Sequence, residues 1–223
     1  MKLLMLAGAG SVGKTALMNA CKEMAEARGL KVATHYSSTR DTYARHGLTN
    51  ESDALKDPEF NKEFQHEVMS DNIFNLQKAI DHNRDVDLFI ADRTPYDYIG
   101  YYFSVFQNDL SLNIIDEKRA LCDKTMRELL YPWQHVHVIM LPYPTTWAVD
   151  TTSSDGWRAD KTGKNFIWSS VVEAELADAQ RRLNNTDNVA PPLFVDRLPS
   201  FAERGSVETR AVAALMQVFP YLR

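Results

Sequence analysis

Apolar positions along the chain fall into two alternating periods. Residues 3–7 are a continuous apolar run ending in glycine, the pattern of a strand buried on both faces. Residues 14–28 then place Ala16, Leu17, Ala20, Cys21, Met24 and Ala27 at helical spacing, with Gly29 where a helix stops. Residues 31–36 read as a second strand, and 37–48 as a polar loop holding a short helix over 42–46. One long helix is expected over 59–83, where Phe60, Phe64, Val68, Ile73, Leu76 and Ile80 recur. Residues 86–91 form a third strand, and an aromatic-rich helix over 96–106 starts just after Pro95. Further helices are expected over 113–131, 166–183 and 206–218, with strands at 135–141 and 193–195. Strands alternating with helices predict a mostly parallel sheet of about five strands between two helical layers.

The segment 150–165 breaks this rhythm. It is polar, contains glycine and carries Arg158, Lys161 and Lys164. A mobile lid is expected there, because closure over phosphates calls for basic groups on a movable element. Otherwise the 223 residues read as one domain without repeats or an interdomain linker.

Residues 8–15, Gly-Ala-Gly-Ser-Val-Gly-Lys-Thr, satisfy G-x-x-x-x-G-K-[ST] at every fixed position. Each part has a physical task. Gly8, Gly10 and Gly13 let the backbone curl, so that its N–H groups, with those of Ser11 and Val12, turn toward phosphate oxygens. The following helix aims its positive end at the same anion. Lys14 supplies a point charge to the outer phosphates, and Thr15 a hydroxyl ligand for Mg²⁺. The expected nucleotide is ATP. The preceding strand and following helix are the context this motif requires.

A second strand end carries Asp92-Arg93. In a parallel sheet, side chains there face the ligand crevice, which makes Asp92 a candidate Mg²⁺ ligand. Arg93 offers a planar fork for a phosphate.

Composition narrows the picture. Thirty acidic against 25 basic residues leave a net charge of -5, which argues against sequence-independent nucleic-acid binding but allows a local basic groove. Two cysteines outside any metal or redox spacing suit a reducing cytosol. The apolar start resembles a secretory signal, yet the phosphate motif needs it as a strand, and no run reaches membrane-spanning length. His135 and His137 share a strand face without a third metal ligand. Glu173 and Glu175 read as a solvated helix face. A GTPase is disfavoured because no Asn-Lys-x-Asp segment follows a late strand, and a remodelling ATPase because the chain lacks room for its helical lid domain.

The stretch Asp92-Arg93-Thr94-Pro95-Tyr96-Asp97-Tyr98 resembles the Asp-Arg segment of the thymidylate kinase and deoxynucleoside kinase group of P-loop kinases. It is also similar to the NadR-like branch, whose Asp-Gly-x-Arg lid Asp155-Gly156-Trp157-Arg158 resembles. The resemblance implies a kinase acting on a nucleoside, a nucleotide or a nicotinamide riboside-type acceptor, and it suits a phage or bacterial cytoplasm. It implies that Lys14, Asp92, Arg93 and Arg158 are catalytic, with Arg158 reaching the transferring phosphoryl group. Ser38, Arg40, Asp41, Arg45, Arg93, Tyr96 and Asp97 are then placed on the acceptor side, with one or two rings of the 96–106 helix facing the acceptor. A homodimer is compatible with this group. The sequence departs from the group in one respect: Tyr36-Ser37-Ser38 stands where many relatives have an acid, so a hydroxyl acceptor would rely on Asp41 or Asp92 for its proton or on positioning alone, while a phosphate acceptor needs no base. A modified base within phage DNA is an alternative acceptor, and would need Arg40, Arg45, Lys161 and Lys164 to form a basic channel. A nucleotide-binding regulatory module is a further alternative.

Overall fold

The computed structural model describes residues 2–10, 12–106, 112–130, 135–143, 162–185, 192–198 and 206–220. Five strands, β1 (Lys2–Ala7), β2 (Val32–His35), β3 (Leu88–Asp92), β4 (His135–Met140) and β5 (Leu193–Arg197), lie in the order β2-β3-β1-β4-β5. Every pairing is parallel. Strand β1, apolar from Leu3 onward, is central, as that unbroken run requires, and Leu3 to Ala7 are completely buried. The chain moves from β1 toward the β2 edge, then crosses to β4 on the other side. This reversal opens a crevice at the carboxyl end of β1, where α/β sheets bind ligands.

Helices α1 (Lys14–Glu26) and α8 (Val207–Val218) pack against each other, whereas α4 (Pro58–His82), α5 (Pro95–Phe106), α6 (Leu112–Leu130) and α7 (Thr162–Asn184) form a second group. Two short helices, α2 (Thr39–Arg45) and α3 (Glu51–Ala54), stand beside α4. Asp57 starts α4 by accepting from the Phe60 amide at 3.1 Å, with Pro58 in the first turn. The fold is thus a three-layer α/β arrangement, with a fully parallel sheet among the described strands.

Some boundaries differ from the pattern reading. Helix α2 begins at Thr39 rather than 42, because Ser38 C=O accepts from the Asp41 and Thr42 amides. Helix α3 was not anticipated; its four residues carry too few apolar positions to show a period, and Asn50 caps it through the Asp53 amide. Helix α7 begins at Thr162, so the last residues of the expected lid belong to a helix. Residues 150–161 lie outside the described residues, and with them Trp157, Arg158 and Lys161. Glu175 does not lie on a solvated face: it is buried and bound two-fold by Arg119, at 2.9 and 2.6 Å.

Helix α5 meets α7 at Gly100. A Cβ there would fall 2.4 Å from Val172 Cγ2 and 2.8 Å from the Trp168 carbonyl oxygen. Both cysteines are free and buried, Cys21 in α1 and Cys122 in α6. Burial pushes the Cys21 thiol up to about 12 and raises that of Cys122 as well.

Candidate active site

The phosphate-type loop leaves β1 at its carboxyl end. Gly8 has φ 133°, and a Cβ would sit 2.4 Å from the Leu141 carbonyl oxygen, so only glycine lets the chain turn here beside β4. Gly13, at φ 82°, leads into α1, whose first turn has no side-chain cap. Its amides therefore keep their capacity for an anion. Lys14 opens the helix almost buried and donates to the carbonyls of Gly8 and Ala9, both at 2.7 Å. The lysine thus folds back over the loop that precedes it. Ser11 lies outside the described residues, and the Val12 side chain packs into the core.

Strand β3 delivers the second group. Its register sets Asp92 opposite Leu6, and the Arg93 amide continues the ladder to Leu6 C=O at 2.9 Å. Arg93 then takes a positive φ of 95°, a costly conformation for a non-glycine residue and one that concentrates at functional sites. Its guanidinium lies 4.8 Å from the ring centre of Trp168. Asp92 Oδ1 and Arg93 Nε are buried without a hydrogen-bond partner within the protein. Such buried groups call for an explanation, and an incoming ligand is one. Burial lowers the pKa of nearby His35, against the pull of the Asp92 charge.

Between these groups opens a cavity of about 360 Å³. Gly10 and Thr15 line it from the loop, and Asp92 and Arg93 from the strand end. Tyr98, Tyr101 and Trp168 add aromatic walls. The polar wall comes from α3, α4 and α7, where Glu51 and Lys164 form an ion pair with both side chains only 10% exposed. The Lys164 ammonium also lies 4.1 Å from the Tyr101 ring centre. The Tyr101 hydroxyl is buried without a hydrogen-bond partner within the protein, and burial raises its pKa. Gln65 donates to the Tyr43 hydroxyl at 3.1 Å and to Asn61 Oδ1 at 3.0 Å. Ser37, also on the lining, donates to Asn72 Oδ1 at 2.9 Å.

Of the residues expected at the site, the fold brings Gly10, Thr15, Arg40, Asp92 and Arg93 around one cavity, with Lys14 beside it. Others lie elsewhere. Tyr96 is fully buried and donates to Asp123 at 2.6 Å, an aspartate that Arg182 also binds. It belongs to the α5–α6–α7 core rather than the acceptor side. Asp97 is fully buried too, with both carboxylate oxygens engaged by Gly8 and Thr94. Asp41 is exposed on α2, off the cavity lining. Arg45 turns outward to Glu67 and Asp71. Ser38 is held from outside the lining, its amide by Asn72 and its hydroxyl by Asn75. Of the residues named for a basic channel, Arg45 and Lys164 pair with carboxylates, Arg40 lines the cavity, and Lys161 lies outside the described residues. The cavity's Glu51 and Gln65 were not anticipated. Only the cap residue Asn50 hinted at α3, and nothing local marks Gln65 within its long helix.

Among the described residues, no cluster of three or more His, Cys, Asp or Glu could hold a metal, and no helix is long and apolar enough to cross a membrane. His135 and His137 follow suit: His137 stacks on Phe194 with ring centres 4.9 Å apart. Its pKa is lowered to about 4 by burial, reinforced by Lys2 and His135.

No family model matches the sequence, and no curated protein sequence is significantly similar. Solved structures are. A crystal structure of NadR protein in complex with NR aligns with a TM-score of 0.57 at 14% identity, over 97% of this chain and 50% of that one. The chain therefore spans about half the length of that protein. A deoxyadenosine kinase from M. mycoides with bound dATP also aligns with a TM-score of 0.57 at 14% identity, covering 99% of both chains. At this identity the likeness establishes a shared α/β fold.

Proposed function

We propose that the protein is an ATP-dependent kinase that transfers the γ-phosphoryl group to a nucleoside or nucleotide-type acceptor. The observation that carries this reading is the shared cavity: the phosphate loop, Asp92-Arg93 and an aromatic, polar-walled recess open onto one another. A nucleotide phosphate chain in the loop would point its outer phosphate into that recess. The fold shared with NadR in complex with NR and with a deoxyadenosine kinase supports the same reading.

Loop amides and Lys14 bind the phosphates, Lys14 leaving the Gly8 and Ala9 carbonyls for the anion. Thr15 and Asp92 suit Mg²⁺, since a hydroxyl and a buried, unpartnered carboxylate oxygen are the hard donors that ion takes. When bound, Mg²⁺ would neutralise phosphate charge. The acceptor oxygen forms the new O–P bond while the bond to the β-phosphate oxygen breaks and ADP leaves. A hydroxyl acceptor gives its proton to Asp92 rather than to exposed Asp41, the cavity's other carboxylate, Glu51, being paired with Lys164. Arg93 holds phosphate oxygens, and Arg158 is assigned to the transferring group. Tyr98 and Tyr101 provide surfaces for the acceptor ring, and the Glu51–Lys164 pair a donor–acceptor edge that orients it.

The test is ATP consumption with Mg²⁺ against free nucleosides, nucleoside monophosphates, nicotinamide riboside, and DNA with and without hydroxymethylated pyrimidines. Stimulation by one free compound is expected, and names the acceptor. Stimulation by modified DNA alone, or tight ATP binding without turnover on any acceptor, would overturn the proposal in favour of a DNA kinase or a regulatory module respectively.

A further inference from the structure

Asp97 has two oxygens and two different tasks. It is the third residue of α5, and Oδ2 accepts from the Thr94 amide at 2.7 Å and from its hydroxyl at 2.8 Å. That is ordinary capping: a side chain in the first turn satisfies the amide of the residue before the helix, while the Asp97 amide returns to Thr94 C=O at 3.1 Å. Capping needs only one oxygen. The other, Oδ1, accepts from the Gly8 amide at 2.8 Å, across 89 residues of sequence. The Asp97 carbonyl in turn accepts from the Trp168 indole N–H at 2.8 Å. One residue therefore touches the first turn of the phosphate loop, the Asp92-Arg93 strand end and helix α7.

We infer that Asp97 is a positioning residue for the phosphate loop, fixing the Gly8 turn so that the loop amides converge on the nucleotide. Gly8 lies just beyond β1, where the sheet ladder no longer dictates the backbone, and its φ of 133° is a conformation that needs an external hold. A wholly buried carboxylate is an expensive hold unless its oxygens are satisfied, and three short donor contacts satisfy them. Burial raises the carboxyl's pKa, while the charges of Lys14 and Arg93 draw it back down. The negative charge thus stands behind the loop among the cations that meet phosphate, without competing for the cradle's amides other than that of Gly8.

The inference rests on the loop being a nucleotide site, and Asp97→Asn separates the two questions. The asparagine oxygen can keep the Thr94 cap, but its NH₂ then confronts the Gly8 N–H, donor against donor. The folded variant should bind ATP at least tenfold more weakly by calorimetry, with its circular dichroism unchanged and its Gly8 amide losing protection from hydrogen exchange. Thr94→Val, which removes only the hydroxyl contact, should change ATP affinity less than threefold. A purely structural role would instead order the two variants by melting temperature alone. Folded Asp97→Asn protein that binds ATP within twofold of wild type overturns the inference. Should that variant not fold, the wild-type protein still decides: its Gly8 amide should exchange slowly without nucleotide, and fast exchange there overturns the tie. Failure of the wild type to bind ATP would sink the nucleotide reading itself, while the Gly8 exchange rate would still report on Asp97.

Discussion

The two ends of the cavity are built on opposite plans. At the end proposed for the nucleotide, a single loop carries the phosphate-binding sequence pattern, its backbone turned at Gly8 and Gly13. At the end proposed for the acceptor, α2, α3, α4, α5 and α7 each contribute side chains, and the Glu51–Lys164 pair joins residues 113 positions apart. Backbone-built sites tolerate little variation and announce themselves as motifs. Sites built from side chains on several elements can be rewritten one residue at a time, which suits a fold that serves many acceptors.

Substitutions can test whether the two plans are as separate as they look. Lys14→Ala strikes the nucleotide end and should lower ATP turnover by about 100-fold or more while circular dichroism stays unchanged. Retained activity would refute the mechanism. Asp92→Asn strikes the junction: kcat should fall roughly 100-fold and the Mg²⁺ needed for half-maximal rate should rise, as for loss of a proton acceptor that also holds the metal. Glu51→Gln strikes the acceptor end. It should raise the acceptor KM about tenfold, the worth of one charge-assisted hydrogen bond, with the ATP KM within about twofold. If the ATP KM rose equally, the ends would not be independent. The smallest effect is expected outside both. His137 titrates far below its usual 6.5 in the folded protein, so unfolded chains bind the extra proton first as the medium acidifies. Stability should therefore decline from about pH 6.5 and continue falling to about pH 4, by about 2–3 kcal/mol in all. Denaturant melts of His137→Leu should show a shallower slope, with the part owed to His35 and His66 retained, and neither end of the cavity should respond.

This contrast also accounts for what the sequence disclosed. The apolar run of β1, the glycines after it and the heptad-like spacing of α1 and α4 are local signals, and the sheet and phosphate loop follow from them. Asp92 and Arg93 were legible because a strand end in a parallel sheet has a known direction. Tyr96 and Asp97 misled because α5 is apolar nearly all round, so no period says which face meets the core. Asp97 reads equally well as a ligand contact or a cap, and only the approach of Gly8 decides. Glu51 belongs to a four-residue helix, and Lys164 to a polar stretch that read as loop. Their meeting depends on how α3 and α7 dock, which no local pattern encodes.

The burial of both thiols has a practical corollary for spectroscopy. Cys21 Sγ faces the Ala211 carbonyl and Cys122 Sγ the Pro95 carbonyl, and neither readily forms the thiolate that maleimides attack. A cysteine introduced at exposed Ser170 on α7 would then be the dominant reactive thiol, carrying a dye on the helix that links Trp168 to Lys164 without first stripping the native sulfurs from the core.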